Sequence, residues 1–446
     1  MKTIVNLWLL VCAVGIWQTL AFGQATPVPP PATATPSRPF FITNTWVIGG
    51  IGNWDYLTVD PTARELFIAH GPAVQVVDID SGTVAGTVKG FRQAHAVVLD
   101  VQGAYGFVSD GQADMVRVFD RHSFQVVANI PTGPAPRSMT LDAASGLLFV
   151  VGGQPAAASS ETQPGAPSSS SPRTAMLRAT NSRATPHGSQ SSVTVIDVEH
   201  RIQLAQLVIP GELGFIQSDG SGRVYVTVRD RNQIIRLNAQ AIGNALRGFI
   251  DTNARLAQRT TTRSGTPSGG SNKAEKPPVL DWYPGAPARP PAEALPYALN
   301  LDSTCQEPRA LALDGNHGRL FAACGNFRMA VINPQTGNII AALPIGPGPD
   351  AIGYDPNRGL IFTANGGGDG SLTIIRQNVT DTYSVIQTLP TRQHARTLAI
   401  DPSSGDVYLT SVIYGAEMNT PMTNGRPASL KVSPVDSSFQ VLVVGN

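Results

Sequence analysis

Asp55, His95, Arg137, Gly214, Arg309, Asp350 and Arg396 share one address: each stands five residues before an aspartate, namely Asp60, Asp100, Asp142, Asp219, Asp314, Asp355 or Asp401. Six of the seven are ionisable. A second set stands ten residues after the same aspartates: His70, Asp110, Gly152, Arg229, Cys324, Asn365 and Ser411. Carboxylates, imidazoles and guanidinium groups gathered by one repeat have three uses. They can pair and seal a structure, as Asp55 with Arg396 and Asp350 with Arg396. They can line a binding or catalytic pocket, because a buried strand does not carry charges unless they are paired or reach water or a ligand. Third, His70, His95, Asp55 and Asp110 could hold a divalent metal, although none has the His-x-x-x-His spacing of a metal site. That spacing argues against a metal, and no cofactor is expected. There is no Cys-x-x-Cys-His for haem attachment, and Ser411 lacks both an adjacent base and the glycines of a nucleophile elbow.

The elements that position these groups follow from the aspartates themselves. Their successive intervals are 40, 42, 77, 95, 41 and 46 residues, and the two long ones contain low-complexity inserts. Each aspartate closes an apolar strand and opens a turn, as in Leu57-Thr58-Val59-Asp60-Pro61 and Leu398-Ala399-Ile400-Asp401-Pro402. A second apolar strand follows, for example Leu66-Phe67-Ile68-Ala69 and Leu360-Ile361-Phe362-Thr363. A third strand often ends in Asp or Asn (Asp78, Asp120, Asp197, Asn238, Asn333), which suits an Asx turn into a fourth. Self-similarity at about 40–45 residues with four short strands per unit is the mark of a β-propeller. The expected fold is all-β: a seven-bladed β-propeller of four-stranded antiparallel blades. Strands at 43–48 and 439–444 are expected to share the last blade. Antiparallel succession then brings both polar sets to one rim, at the mouth of the central channel.

With 446 residues, 14% charged and a formal net charge of +1, the chain has no global electrostatic pull toward nucleic acid or an anionic membrane. Residues 1–23 read as a signal peptide: Lys2, an apolar run from Ile4 to Leu20, and Ala21-Phe22-Gly23 before Gln24. An uncleaved anchor is the rival reading, since the run is nearly long enough to span a bilayer. Residues 24–42 are a proline-rich linker. The propeller is expected over 43–446, with inserts at 154–191, 241–293 and 412–428 that lack apolar periodicity. The basic residues of 241–293 have almost no aromatic neighbours to stack bases, so nucleic acid is not the expected partner.

Cleavage would leave two cysteines, Cys305 and Cys324, nine residues before and ten after Asp314. Both then fall on the same rim, which makes a structural disulfide the expectation and two buried thiols the alternative.

Several blocks in order resemble the YncE-like, or YVTN-repeat, family of exported seven-bladed propellers. They include Gly52-Asn53-Trp54-Asp55-Tyr56-Leu57-Thr58-Val59-Asp60, Asp219-Gly220-Ser221-Gly222-Arg223-Val224-Tyr225-Val226, Cys305-Gln306-Glu307-Pro308-Arg309-Ala310-Leu311 and Ile345-Gly346-Pro347-Gly348-Pro349-Asp350-Ala351. The resemblance implies a secreted or periplasmic protein that binds something at its face. It implies no defined reaction. Where relatives tend to carry Asn-Pro-Asp-Ala and Pro-Glu-Phe, this chain has Ala135-Pro136-Arg137-Ser138 and Leu213-Gly214-Phe215. The ring is thereby shifted toward positive charge, which favours an anionic ligand such as a carboxylate held by Arg137, Arg309 and Arg396.

The preferred reading is a monomeric, exported binding or interaction module whose partner is a small anionic ligand or another protein. Its site is the channel mouth: Asp55, His70, His95, Asp110, Arg137, Arg229, Arg309, Asp350, Asn365 and Arg396. The alternative is a hydrolase or lyase of the propeller-lactonase type, working through His70, His95 and Asp110 around a metal or water.

Overall fold

The second strand of each repeat is a continuous apolar run because both its faces are covered by neighbouring blades. In a computed structural model of the chain, Glu65–His70, Leu147–Gly152 and Leu360–Asn365 are buried almost throughout. The outermost strands instead alternate or lie open, as Thr83–Lys89 does. The structure describes residues 38–50, 53–100, 103–153, 190–247, 279–281, 292–378, 381–416, 432–435 and 437–446. The signal-like segment 1–23 and most of the linker lie outside these residues, as does nearly all of the insert 154–191.

Seven sheets of antiparallel strands form the blades, each beginning with an innermost strand: Trp54–Asp60, Ala94–Leu99, Met139–Asp142, Leu213–Ser218, Pro308–Asp314, Pro349–Asp355 and Leu398–Ile400. Blades 1 to 6 then run outward in chain order. Blade 7 is closed by both termini, with Gln440–Gly445 as its third strand and Phe41–Val47 as its outermost. That strand starts just inside the span assigned to the linker. Phe40 anchors it: its backbone N–H and C=O bond the Gln387 amide at 2.8 and 2.7 Å, and its ring meets Phe362 edge-on at 5.5 Å.

Apolar layers between blades hold the ring together, as where Phe67 of blade 1 meets Phe119 of blade 2 at 6.0 Å. Each such fully buried side chain contributes about 1.5–3 kcal/mol. The repeat aspartates add a second fastening. Asp142 accepts the Ser145 N–H of its own turn at 2.9 Å and the Ser218 hydroxyl of blade 4 at 2.8 Å. Asp314 accepts the Asn316 N–H and, from blade 6, the Gln377 amide at 3.0 Å. Asp60 caps its turn through Thr62 and Ala63 while pairing with Arg121 of blade 2. At Asp60, Asp142 and Asp314 the residue that paces the sequence is therefore also a clasp between consecutive blades.

Two inserts carry more structure than their composition predicts. Residues 239–247 are helical, and Ala239, Ile242 and Leu246 are buried in the core shared by blades 3 and 4. Val279–Asp281 adds a parallel fifth strand to the edge of blade 3 at Gln206–Val208. The expectation of an unpacked 241–293 is corrected at these points. Three apolar residues spaced over two turns suffice once a groove between blades is there to receive them. Around the third insert, Tyr414–Ala416 and Val432–Pro434 form a short hairpin. Among the described residues no helix is long and apolar enough to cross a membrane.

Candidate functional site at the channel mouth

The innermost strands do not run straight into the mouth. Their pairing slips between Trp54 and Leu57, Ala94 and Val97, Leu213 and Ile216, Pro308 and Ala310, and Pro349 and Ala351. Asp55, His95, Gly214, Arg309 and Asp350 sit within these irregularities. A β-bulge leaves a residue unpaired and re-aims its side chain, so five of the seven ring positions are turned out of the ladder where the strand meets the channel.

Six ring positions (Asp55, Arg137, Gly214, Arg309, Asp350 and Arg396) line one cavity of about 200 Å³, together with Glu212, Arg229 and Tyr56. Gly214 has a reason to be glycine: a Cβ there would stand 2.7 Å from Thr227 Oγ1 and 3.1 Å from Arg229 Cδ. The missing side chain lets Arg229 reach across its blade.

The remaining four candidates lie off this cavity. His95 is buried, with Nδ1 at 2.7 Å from Asp55 Oδ2, joining blades 2 and 1. His70 Nδ1 lies 2.7 Å from Gln75 Oε1, and its ring rests on Phe439 at 4.1 Å. Asp110 is fully buried, accepts the N–H groups of Arg92 and Gln93, and pairs with Arg117 Nε at 2.8 Å. Asn365 is buried and donates to Thr373 Oγ1 at 3.0 Å. His70, His95 and Asp110 thus have separate partners rather than one shared centre. Among the described residues no three His, Cys, Asp or Glu side chains are grouped so as to hold a metal ion.

Two glutamates outside the predicted site alter the charge balance. Arg229 bonds Glu212 Oε1 at 3.1 Å and, across the junction to blade 5, Glu307 Oε1 at 2.5 Å. Arg309 donates to both oxygens of Glu307 at 3.0 Å. The expected shift toward positive charge is largely offset on this side of the mouth. A signal existed: Glu212 and Glu307 each stand seven residues before a repeat aspartate. Desolvation works to raise the Glu307 pKa, but hydrogen bonds from Arg229 and Arg309 outweigh it and hold the carboxyl below its usual range. Asp350 moves the other way. Desolvation in the channel and the nearby Asp55 charge push its pKa up despite Arg396, whose Nε lies 3.5 Å away. Asp55 takes His95 as its partner in place of the expected Arg396.

Arg137 is exposed in the cavity, and among the described residues no carboxylate forms an ion pair with it. The buried Nε atoms of Arg229, Arg309 and Arg396 likewise lack a hydrogen-bond acceptor. The Cys305–Cys324 disulfide is present, with Cα atoms 5.3 Å apart, and holds the loop that carries Glu307.

No protein-family model and no curated protein matches the chain. Solved structures do. The structure of U3-55K aligns over 89% of this chain and 97% of its own, with a TM-score of 0.54 at 9% identity. The RRP9 WD40 repeats align over 90% and 96% with a TM-score of 0.55 at 9% identity. A chain of the mitotic checkpoint complex aligns over 88% and 95% with a TM-score of 0.54 at 14% identity. This chain has the WD40-like seven-bladed propeller fold. Identities this low carry the fold alone, and function rests on the mouth.

Proposed function

We propose that this chain is an exported binding module of YncE-like type that captures an anionic, carboxylate-bearing ligand at the channel mouth. The observation that carries the reading is Arg137: a guanidinium in a cavity wall, without a carboxylate partner among the described residues, facing a space shared with Arg309 and Arg396. Planar guanidinium groups bind carboxylates in bidentate fashion, and orphaned donors at such a site favour a ligand that supplies acceptors. The leader-like segment 1–23 and the Cys305–Cys324 bridge support export, because disulfides persist in oxidising compartments. The fold is compatible with an interaction module, so a partner protein presenting a carboxylate is served by the same chemistry. Calorimetric titration with acetate, succinate and citrate tests the reading. Binding should weaken roughly 10–100-fold in Arg137→Ala, the range of one charge-assisted hydrogen bond. An unaltered affinity in that variant would overturn it.

A further inference from the structure

The charged mouth borders a second space. Tyr56 lines the mouth and also lines this space of about 400 Å³ among the innermost strands. One residue from each of six blades marks its wall: Leu57, Val98, Leu141, Phe215, Ile352 and Leu398. None of its lining residues is Asp, Glu, Lys, Arg or His; Thr58, Ser138, Thr140 and Gln217 are polar, and the others are apolar or aromatic. Tyr56 of blade 1 and Phe215 of blade 4, which are not neighbours in the ring, meet with ring centroids 5.6 Å apart. They form a floor across the axis, with guanidinium groups on one side and an uncharged bore on the other. Both rings are only half-buried.

Size separates the two spaces. Small-molecule pockets usually span roughly 300–1,000 Å³. The mouth falls short of that range and the bore falls within it. A ligand using both must join an anionic end to an apolar one, since charge in the bore would go unpaired and hydrocarbon at the mouth would cover charges. We propose that the ligand is a single-chain carboxylate amphiphile, its carboxylate held by Arg137, Arg309 and Arg396 and its hydrocarbon tail lying in the bore beyond Tyr56 and Phe215. This rests on the anionic-ligand reading above and adds the class of molecule.

Titrating the full chain with butanoate, octanoate and dodecanoate tests it. Each methylene moved from water into the bore should raise affinity roughly fourfold. Octanoate should therefore bind at least about a hundredfold tighter than butanoate, with a plateau once the bore is full. Octan-1-ol, which lacks the anionic end, should bind at least about tenfold more weakly than octanoate. Val98→Phe narrows the bore and should erase the gain with chain length while leaving butanoate unchanged. If it fails to fold, the length series on the unaltered protein still decides. Equal affinities for butanoate and octanoate would defeat the amphiphile while leaving the anion site standing. Failure of every carboxylate to bind would defeat both.

Discussion

Arg64 and Asp401 are 337 residues apart in the chain, yet Arg64 Nη1 lies 2.5 Å from Asp401 Oδ2. The pair fastens blade 1 to blade 7 on the rim opposite the mouth. Asp401 is fully buried and also accepts the Ser403 N–H at 2.9 Å, so its removal strands that amide and breaks the junction pair, while Arg64 keeps Asp80 at 2.8 Å. Asp401→Ala should lower unfolding stability by about 1–2 kcal/mol, the range of a lost hydrogen bond that leaves a buried amide unsatisfied. Urea denaturation followed by circular dichroism measures this, and a change below about 0.5 kcal/mol would deny the clasp its role.

Reduction of Cys305–Cys324 should also destabilise the ring. The bridge joins residues 19 apart, and closing a loop of that length contributes about 3 kcal/mol by the chain-entropy argument. Paired melting curves, with and without dithiothreitol under denaturing pre-equilibration, report the difference. The double change to serine should reproduce it, and identical midpoints would count against the bridge as a stabiliser.

Arg137 and Arg229 line the same cavity but should behave differently. Arg137→Ala breaks no ion pair among the described residues and should alter stability by less than about 0.5 kcal/mol while weakening carboxylate binding. Arg229→Ala strips Glu212 and Glu307 of a shared partner and should cost about 1–3 kcal/mol. Equal stability losses for the two would mean that the mouth is a blade lock rather than a binding surface.

Acid should unfold this protein through identifiable groups. Desolvation tends to raise Asp314 and Asp401, but hydrogen bonds from Gln377 and Arg64 outweigh it and both sit below the usual aspartate range. Their contribution is complete above the ordinary value of about 3.9 and drains away as pH falls through their lower folded values. Asp350, raised by desolvation, has the opposite sign: its contribution is complete below about 3.9 and is lost as pH rises through its folded value. Asp350→Asn should therefore flatten the decline just above that point without affecting acid unfolding. Urea midpoints across the pH range test both signs, and an unchanged profile in the variant would remove Asp350 from the account.

Periodicity made the blades countable before any coordinates, because each unit must repeat the same turn chemistry and the same doubly covered second strand. Asp60 and Asp401 were legible as turn residues for that reason. Their second role, reaching Arg121 and Arg64 in neighbouring blades, was not, since it depends on which turn lies across the junction. Residues 239–247 misled by composition: a short apolar stripe is weak in isolation and is settled by the groove that receives it.

The amino-acid order alone determined the number of blades, the succession of four strands within each and the rim on which Asp55, Arg137, Arg309, Asp350 and Arg396 emerge. Those features follow from local pattern and antiparallel pairing. Only ring closure decided which of them share a cavity. Bulges turned Asp55, Arg309 and Asp350 toward the axis, while His95 and Asp110 became buried partners of Asp55 and Arg117. The physical reason is that a side chain's partner across a blade junction is set by packing angle and register, and no count along one strand contains either.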